Sequence, residues 1–496
     1  MPNQLGTRYS SSSVGRAASI LEPRDRSKLL AITLVQVVMG FLDLIGVIAI
    51  GALGALSIQG VESHKPGNKV ESLLRILNLQ NFSFQEQVTV LGISAAVILI
   101  FKTIISIYFT RKIFFFLSYK GAQISAELIS KVLSQNLVDI QRRTTQQILY
   151  IVSTGVTNLL IGILAATITM VADVAMFFII SIGLFVVDPT IAFTTSILFF
   201  AIAYILHRLL QVRAREFGIA MNTLTVNSNE KILEVLNSYR ETVVRHRRRF
   251  YAEEIEKLRY ELGSIQAEQS FQPLISKYVI ELSAVLGTLA LAGYEFGTKN
   301  AVHAVAVIAV FMAASSRIAP GALRIQQGFL LLKNSSGAAD STLSLIDELK
   351  SIEISQEDLD DPTFDYPDFT PDIVLSSVSF KYEKESIFSL TDINLFIKQG
   401  TSAAFVGPSG AGKTTLIDLI LGVLEPDSGN VHISSINPAA ASAKWPGAIS
   451  YVPQNVAVSS GSIRDNVALG YSGKVATDER IWASLDLAQL LSLIHI

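Results

Sequence analysis

The chain has 496 residues, of which 50% are hydrophobic and 17% charged, whereas an ordinary soluble domain has about 25% charged residues. The length favours two or more domains, and the mean hydropathy of +0.44 indicates that part of the chain lies in a membrane. A net charge of −2 gives no reason to expect nucleic-acid binding. The absence of cysteine excludes disulfides, thiolate metal sites and cysteine nucleophiles.

Residues 1–28 are polar and predict a cytoplasmic lead-in, with a short interfacial helix over 17–30. Residues 29–350 predict an all-α membrane domain, because they contain apolar stretches of about the 20 residues that a bilayer-crossing helix needs. Several stretches run on into polar helical sequence, so we expect helices that project beyond the membrane. The six stretches are 29–58, 88–110, 148–187, 189–206, 273–294 and 301–316.

Lysine and arginine predict the orientation of these spans, because positive residues are enriched on the cytoplasmic side. With the N-terminus inside, the inner segments hold 22 Lys and Arg residues and the outer loops hold 4. The N-terminus and the C-terminal domain are therefore predicted on the cytoplasmic side of the inner membrane.

Polar segments follow the fourth and the sixth spans. Residues 245–261 mix basic and acidic residues at helical spacing, which favours a solvated helix face over a lipid or nucleic-acid site. A polar elbow is predicted near 237–239. Residues 351–372 are acidic, contain proline and lack apolar periodicity, so they predict a linker to a soluble domain over 373–496.

The sequence of Gly407–Thr414 matches the phosphate-binding pattern G-x-x-x-x-G-K-[ST]. A strand over 403–406 and a helix over 413–421 are predicted on its two sides, which is the context that this motif requires. Glycines let backbone N–H groups turn toward phosphates, Lys413 reaches the β- and γ-phosphates, and Thr414 offers its hydroxyl to Mg²⁺. The predicted nucleotide ligands are Gly407, Pro408, Ser409, Gly410, Ala411, Gly412, Lys413, Thr414 and Thr415.

This soluble domain resembles the ATP-binding domain of an ABC transporter. The segment VSFKYEKES at 378–386 resembles the opening strand of the family, and EPDSGNVHI at 425–433 matches the hairpin after the P-loop helix. The resemblance implies that Tyr382 stacks on adenine. It also implies that Gln454, in a segment similar to the Q-loop region, contacts Mg²⁺ and the attacking water and senses the membrane domain.

Six spans followed by this domain resemble a type IV ABC exporter half-transporter. The resemblance implies a six-helix bundle followed by a partial α/β P-loop NTPase domain, with ATP and Mg²⁺ as cofactors. It also implies a second half-transporter as partner, most simply in a homodimer. Residues 136–148 and 234–244 are the candidate coupling segments through which the two domains would communicate.

The sequence departs from the family after 481–490. The acidic residue that follows a hydrophobic strand, the water-positioning carboxylate, the LSGGQ-type signature and the switch histidine are all missing, and His495 is no substitute because no strand precedes it. We expect a sequence truncated at its C-terminal end, which would not turn over ATP as written. The alternative is a short protein that binds ATP without hydrolysing it and regulates an active sister subunit.

The cargo is predicted from charges within the spans, which are costly in lipid and should face the bundle interior. Internal pairing is favoured for the acids, and Lys277 and Glu281 have the spacing to pair. The basic residues predict a cationic cavity for an anionic head group. An amphipathic segment at 70–88 suits the outer membrane surface. This arrangement, with residues 40–53 in the first span, resembles flippases of lipid-linked oligosaccharides. A multidrug or peptide exporter is the alternative. The cavity residues are Lys102, Lys277, Arg317 and Arg324.

Overall fold

A computed structural model describes residues 13–62, 82–187, 189–298, 301–354, 366, 368–382, 390–454, 456 and 458–491. The chain divides into two compact units. The membrane unit comprises residues 1–129 and 144–351, and the nucleotide unit comprises residues 130–143 and 352–496. Most of the predicted amphipathic segment at 70–88 and most of the predicted linker at 351–372 lie outside the described residues.

The described helices are numbered in chain order. They are α1 (Ser13–Ile20), α2 (Pro23–Glu62), α3 (Phe84–Leu133), α4 (Leu137–Gln141), α5 (Thr145–Tyr150), α6 (Ala166–Val187), α7 (Pro189–Asn237), α8 (Tyr239–Val244), α9 (Arg248–Thr298), α10 (Ala301–Glu348), α11 (Lys413–Ile420), α12 (Pro438–Lys444), α13 (Ile463–Ala468) and α14 (Asp478–Leu487). The strands are β1 (Ile373–Phe380), β2 (Leu390–Ile397) and β3 (Ser428–Ile433).

The membrane spans were largely predictable from composition. Within the described residues, five helical segments are long and apolar enough to cross a bilayer: Pro23–Gly46, Gln85–Leu133, Thr145–Gly183, Ala192–Asn237 and Arg248–Thr298. Each of them overlaps one of the first five predicted stretches, and the sixth stretch forms the start of α10. The helices run well beyond the apolar stretches, as the unbroken polar continuations predicted.

The interfacial helix predicted over 17–30 is wrong in its bounds, because α1 ends at Ile20 and α2 begins at Pro23. Proline suits the first position of a helix, since its φ is preset and its missing N–H needs no partner there. Ion pairs attach α1 and the start of α2 to other helices of the membrane unit. Arg16 pairs with Asp347 of α10 at 2.6 Å, and Lys120 of α3 pairs with Asp25 at 2.7 Å.

Between α5 and α6 the helix passes through two π-helical segments, Ile151–Gly155 and Asn158–Ala165. Here and on α7 glycines allow close contact with α10. A Cβ on Gly218 would lie 2.0 Å from the backbone oxygen of Asn334, so only glycine fits at this crossing. The hydrophobic pattern of the sequence predicts a helix in this region but gives no sign of its π-helical turns.

The nucleotide unit is built on an antiparallel sheet in the order β2-β1-β3. Ile373 of β1 lies opposite Ile397 of β2 and Ile433 of β3. One face of the sheet is covered by α11, whose Leu416, Leu419 and Ile420 pack on buried residues of the strands. The spacing of these three side chains is that of one helix face, so packing against the sheet fixes the helix that begins at the P-loop.

Candidate nucleotide-binding site

The P-loop folds as the motif requires. Gly410 and Gly412 have φ angles of +81° and +83°, a region that side-chain-bearing residues rarely adopt. Gly412 is the N-cap of α11, so the helix N-terminus, with its free N–H groups and partial positive charge, faces the loop. The predicted helix over 413–421 is therefore confirmed, with Leu421 as its C-cap.

The side chain of Lys413 folds back onto the P-loop that precedes it in the chain. Its Nζ donates hydrogen bonds to the backbone oxygens of Gly407 and Pro408, at 2.9 Å and 2.7 Å. The ammonium is therefore already held where the loop closes on itself, and phosphate oxygens are stronger acceptors for it than neutral carbonyls. The residues present thus fit a triphosphate, with Lys413 and the backbone N–H groups as its donors.

The two threonines that follow Lys413 point to different surroundings. Thr414 is exposed, so its hydroxyl is accessible to a metal ion beside the phosphates. Thr415 is 6% exposed, and its Oγ1 lies 3.1 Å from the hydroxyl of Tyr382. Among the described residues no cluster of three His, Cys, Asp or Glu side chains suits a metal ion, and the predicted Mg²⁺ ligands stay Thr414, Gln454 and the phosphates.

Tyr382 lies beside the phosphate loop, as its predicted role requires. Its ring is 40% exposed and stands edge-on to Phe380 with the centroids 5.1 Å apart, while its hydroxyl bonds to Thr415. An aromatic ring fixed at one edge and open on the other side is available to stack on a base. The structure therefore brings Tyr382 and the P-loop together, although Tyr382 and Ser409 are 27 positions apart in the chain.

Gln454 is exposed in an irregular segment. Its predicted contact with Mg²⁺ and water stays a prediction.

The strand predicted over 403–406 is wrong, because residues 401–408 are all described and contain no strand. The described strands all belong to the antiparallel sheet, and none of them pairs with this segment. A strand is defined by ladder hydrogen bonds to a neighbour, so an apolar run without a described neighbour stays irregular. Val406 is consequently 93% exposed.

The first candidate coupling segment is divided between the two units, with residues 136–143 in the nucleotide unit and residues 144–148 in the membrane unit. Helix α4 begins after its N-cap Asn136, and Leu137 and Val138 pack on the hydrophobic cluster formed by the sheet and α11. The cluster includes Leu419, which is 1% exposed. Residues from between two membrane helices thus complete the core that also supports the phosphate loop. The second candidate segment contains α8, set off by the predicted elbow at Ser238.

The four predicted cavity cations do not gather in one described site. Lys102 pairs with Asp43 and Arg324 pairs with Asp173, each at 2.7 Å. The first pair joins α3 to α2 and the second joins α10 to α6, so each of these two cations is balanced by an acid. Lys277 is exposed beside Glu281 at 3.9 Å, and the side chain of Arg317 lies outside the described residues.

Comparison with known proteins identifies the kind of domain that contains the P-loop. Residues 390–495 match the ABC transporter family. An uncharacterized ABC transporter ATP-binding protein of Bacillus subtilis (strain 168), YwjA, is 40% identical over 119 residues, or 24% of this chain and 20% of the relative. The mycobactin import ATP-binding/permease protein IrtB of Mycolicibacterium smegmatis is 28% identical over 225 residues, or 44% of this chain and 35% of the relative.

The fold matches more of the chain than the sequence does. A solved structure of a bacterial Atm1-family ABC exporter with ATP bound superposes with a TM-score of 0.64 at 12% identity, over 96% of this chain and 79% of that one. The chain therefore contains an ABC transporter ATP-binding domain that follows a membrane domain in the sequence. Its fold is that of a type IV ABC exporter. It spans about a fifth to a third of the length of the two curated relatives.

Proposed function

We propose that this protein is one half of an ATP-driven exporter. The observation that carries the proposal is Lys413, which the backbone oxygens of Gly407 and Pro408 hold in a P-loop that matches the ABC transporter family, in a chain with an exporter-type membrane fold. ATP binds between the phosphate loop and Tyr382, and Mg²⁺ binds at Thr414. Binding energy from the nucleotide then acts on the membrane helices through α4, whose Leu137 shares a core with the P-loop helix.

The proposed assembly is a homodimer in the inner membrane, with the N-terminus and the nucleotide unit in the cytoplasm. The excess of lysine and arginine in the inner segments supports this orientation. Labelling of single cysteines introduced at positions 16 and 398 tests it, because the chain has no cysteine of its own. Modification of the two positions from opposite sides of the membrane would contradict the proposed topology.

The proposed cargo is a lipid or a lipid-linked saccharide. The apolar helices and the basic residues of the membrane domain support an amphiphile with an anionic head group. The balanced Asp43–Lys102 and Asp173–Arg324 pairs leave less net positive charge for that head group than the sequence alone predicts. Stimulation of the ATPase by a polyprenyl-diphosphate lipid, but not by hydrophobic drugs or peptides, is the expected result. The reverse pattern would identify a multidrug or peptide exporter.

A regulatory subunit that binds ATP without hydrolysing it is the second candidate. This candidate requires only the P-loop, in which the backbone oxygens of Gly407 and Pro408 hold Lys413. Sequencing the gene past codon 496 separates the two candidates. An open frame that encodes an LSGGQ-type signature and the catalytic carboxylate pair supports the transporter, and a stop codon supports the regulator.

A further inference from the structure

The membrane unit contains an apolar groove that the nucleotide chemistry does not use. It lies between α6, α7 and α10, has a volume of about 280 Å³ and presents an almost wholly apolar wall. Phe177 and Phe199 form its buried side and belong to the core of the membrane unit. Phe178, Phe200 and Tyr204 are more than half exposed, so the groove opens on the side that faces away from that core.

The depth of the groove in the membrane follows from α7. The predicted apolar stretch at 189–206 is about 27 Å long at 1.5 Å per residue, which nearly equals the roughly 30 Å hydrocarbon thickness of a bilayer. His207, which lines the groove, therefore lies at the membrane boundary. Phe199 precedes it by eight residues, so the groove follows about 12 Å of α7 from that boundary into the bilayer. A groove at this depth lies at the level of the acyl chains of one leaflet.

Two basic side chains stand just beyond the boundary end of the groove. Arg208 lies one helical turn beyond Tyr204 on α7, and Lys333 lies one helical turn beyond Phe329 on α10. Tyr204 and Phe329 both line the groove. Neither Arg208 nor Lys333 forms an ion pair within the part of the chain that the structure describes, so each positive charge is available to a partner from outside the chain.

Contacts between α7 and α10 place these two charges on the same side of the membrane boundary. His207 packs on Phe329 with the ring centroids 4.7 Å apart, and farther along both helices Arg215 pairs with Asp340 at 3.1 Å. The two helices therefore run parallel at this level, and both basic side chains lie on the water side of the groove. Asp340 does not offset them, because Arg215 already balances it.

We propose that the groove and the two basic side chains together bind one anionic phospholipid of the surrounding membrane, with an acyl chain in the groove and the phosphate at Arg208 and Lys333. Charge complementarity selects this occupant, because basic residues between membrane helices at the head-group level attract anionic lipids, whereas the apolar wall accepts a hydrocarbon chain. Asp173, next to Val174 of the groove wall, does not cancel the charge, since it pairs with Arg324 at 2.7 Å.

This lipid is a resident component and not the transported cargo. Its binding requires neither ATP nor a particular direction of transport. Failure of the proposal would therefore leave the proposed exporter function untouched.

The test places a tryptophan reporter in the groove by Phe200→Trp, because Trp445 and Trp482 lie in the nucleotide unit. The full chain in phosphatidylcholine nanodiscs is titrated with brominated phosphatidylglycerol or brominated phosphatidylcholine, and the signal of the parent chain is subtracted. We expect half-maximal quenching at a roughly tenfold lower mole fraction of the anionic lipid. Leu286→Trp is the control reporter, because Leu286 is 56% exposed on α9, which does not line the groove. It should be quenched equally by both lipids.

Charge variants of the Phe200→Trp chain test the head-group site. Arg208→Gln combined with Lys333→Gln should abolish the tenfold preference for the anionic lipid, whereas Arg208→Lys should keep it because the charge remains. Lys257→Gln combined with Arg259→Gln is the matched control, since it removes the same charge from exposed positions of α9 that precede its apolar stretch. A preference that survives in the first double variant, or that falls equally in the control, would overturn the proposal.

Filling the groove tests whether one lipid occupies both parts of the site. In the Phe200→Trp chain, Ala203→Phe adds a ring to the groove wall and leaves both basic side chains in place. It should lower the preference for the anionic lipid about threefold or more, because the acyl chain loses apolar contact. An unchanged preference, or an equal preference at the two reporter positions, would contradict the proposal. Absence of quenching by either lipid would show that protein covers the groove, and would overturn it as well.

Discussion

Two regions of the nucleotide unit have similar apolar sequences and differ sharply in structure. In β1 the side chains of Leu375 and Val378 are 2% and 0% exposed, whereas Val406 and Val452, close to the phosphate loop and to Gln454, are 93% and 83% exposed. The first region has strand partners on both sides, and the second has none among the described residues. The difference shows that an apolar run becomes a buried strand only when neighbours cover it.

The largest expected effect follows from this contrast in burial. Leu375→Ala should lower the free energy of unfolding of the nucleotide unit by about 2–5 kcal/mol, because it leaves a cavity in a packed core. Val406→Ala should change it by about 0.5 kcal/mol or less, as an exposed side chain should. Urea titration followed by Trp445 fluorescence measures both, since Trp445 is 6% exposed within the same core. Equal effects of the two substitutions would remove the distinction between the regions.

A smaller effect is expected where α4 joins that core. Leu137 is half-buried against the cluster, so Leu137→Ala should destabilise the nucleotide unit by about 1 kcal/mol, roughly half of the burial energy of a leucine side chain. The same urea titration measures it. Leu133→Ala is the control, because Leu133 is 73% exposed at the end of α3, and an equal loss in both variants would show that α4 does not contribute to the core.

The contact between Tyr382 and the P-loop helix is worth less still. Tyr382→Phe removes the hydrogen bond to Thr415 and keeps the ring, so it should cost about 0.5 kcal/mol in stability, the low end for a hydrogen bond because Tyr382 is 40% exposed, and leave the affinity for ATP unchanged. Tyr382→Ala should also lower the affinity for ATP, because the ring that stacks on adenine is lost. If Tyr382→Phe lowers the affinity as much as Tyr382→Ala does, the hydroxyl and not the ring contacts the nucleotide.

The smallest expected effect is the pH dependence of α13. Hydrogen bonds from the side chain and backbone of Ser462 lower the pKa of the Asp465 carboxyl. A carboxyl with a lowered folded-state pKa stabilises the helix above its unfolded pKa of about 3.9, and the contribution is lost as the pH falls through the folded pKa. Amide exchange at the start of α13 should therefore accelerate in acid relative to α14. Asp465→Asn should remove this difference, and an unchanged pH profile would contradict the capping role.

Sequence and structure agree where the determinant is local. Gly410, Gly412 and Lys413 need only their own backbone conformation and their neighbours, so the P-loop was predictable from the motif. The membrane spans were predictable for a related reason, since hydropathy over about 20 residues decides whether a helix can cross lipid. These elements could therefore be predicted without knowledge of distant contacts.

The disagreements arise where the determinant is distant in the chain. The strand at 403–406 needs a partner that no local pattern supplies, and the pairing of Arg324 with Asp173 joins residues 151 positions apart. The end of α1 at Ile20 has, in contrast, a local determinant, because Pro23 favours the start of a new helix.

The central claim is that Lys413 holds the phosphates of a nucleotide in a P-loop attached to an exporter-type membrane domain. Binding of a fluorescent ATP analogue to the full chain in nanodiscs tests it most directly, with Lys413→Ala compared with the exposed Lys398→Ala. We expect Lys413→Ala to weaken binding by at least tenfold without changing the urea midpoint, since about 1.5–3 kcal/mol is typical of a hydrogen bond to a charged group. Saturable binding of equal affinity in both variants, or none in the parent chain, would contradict the account.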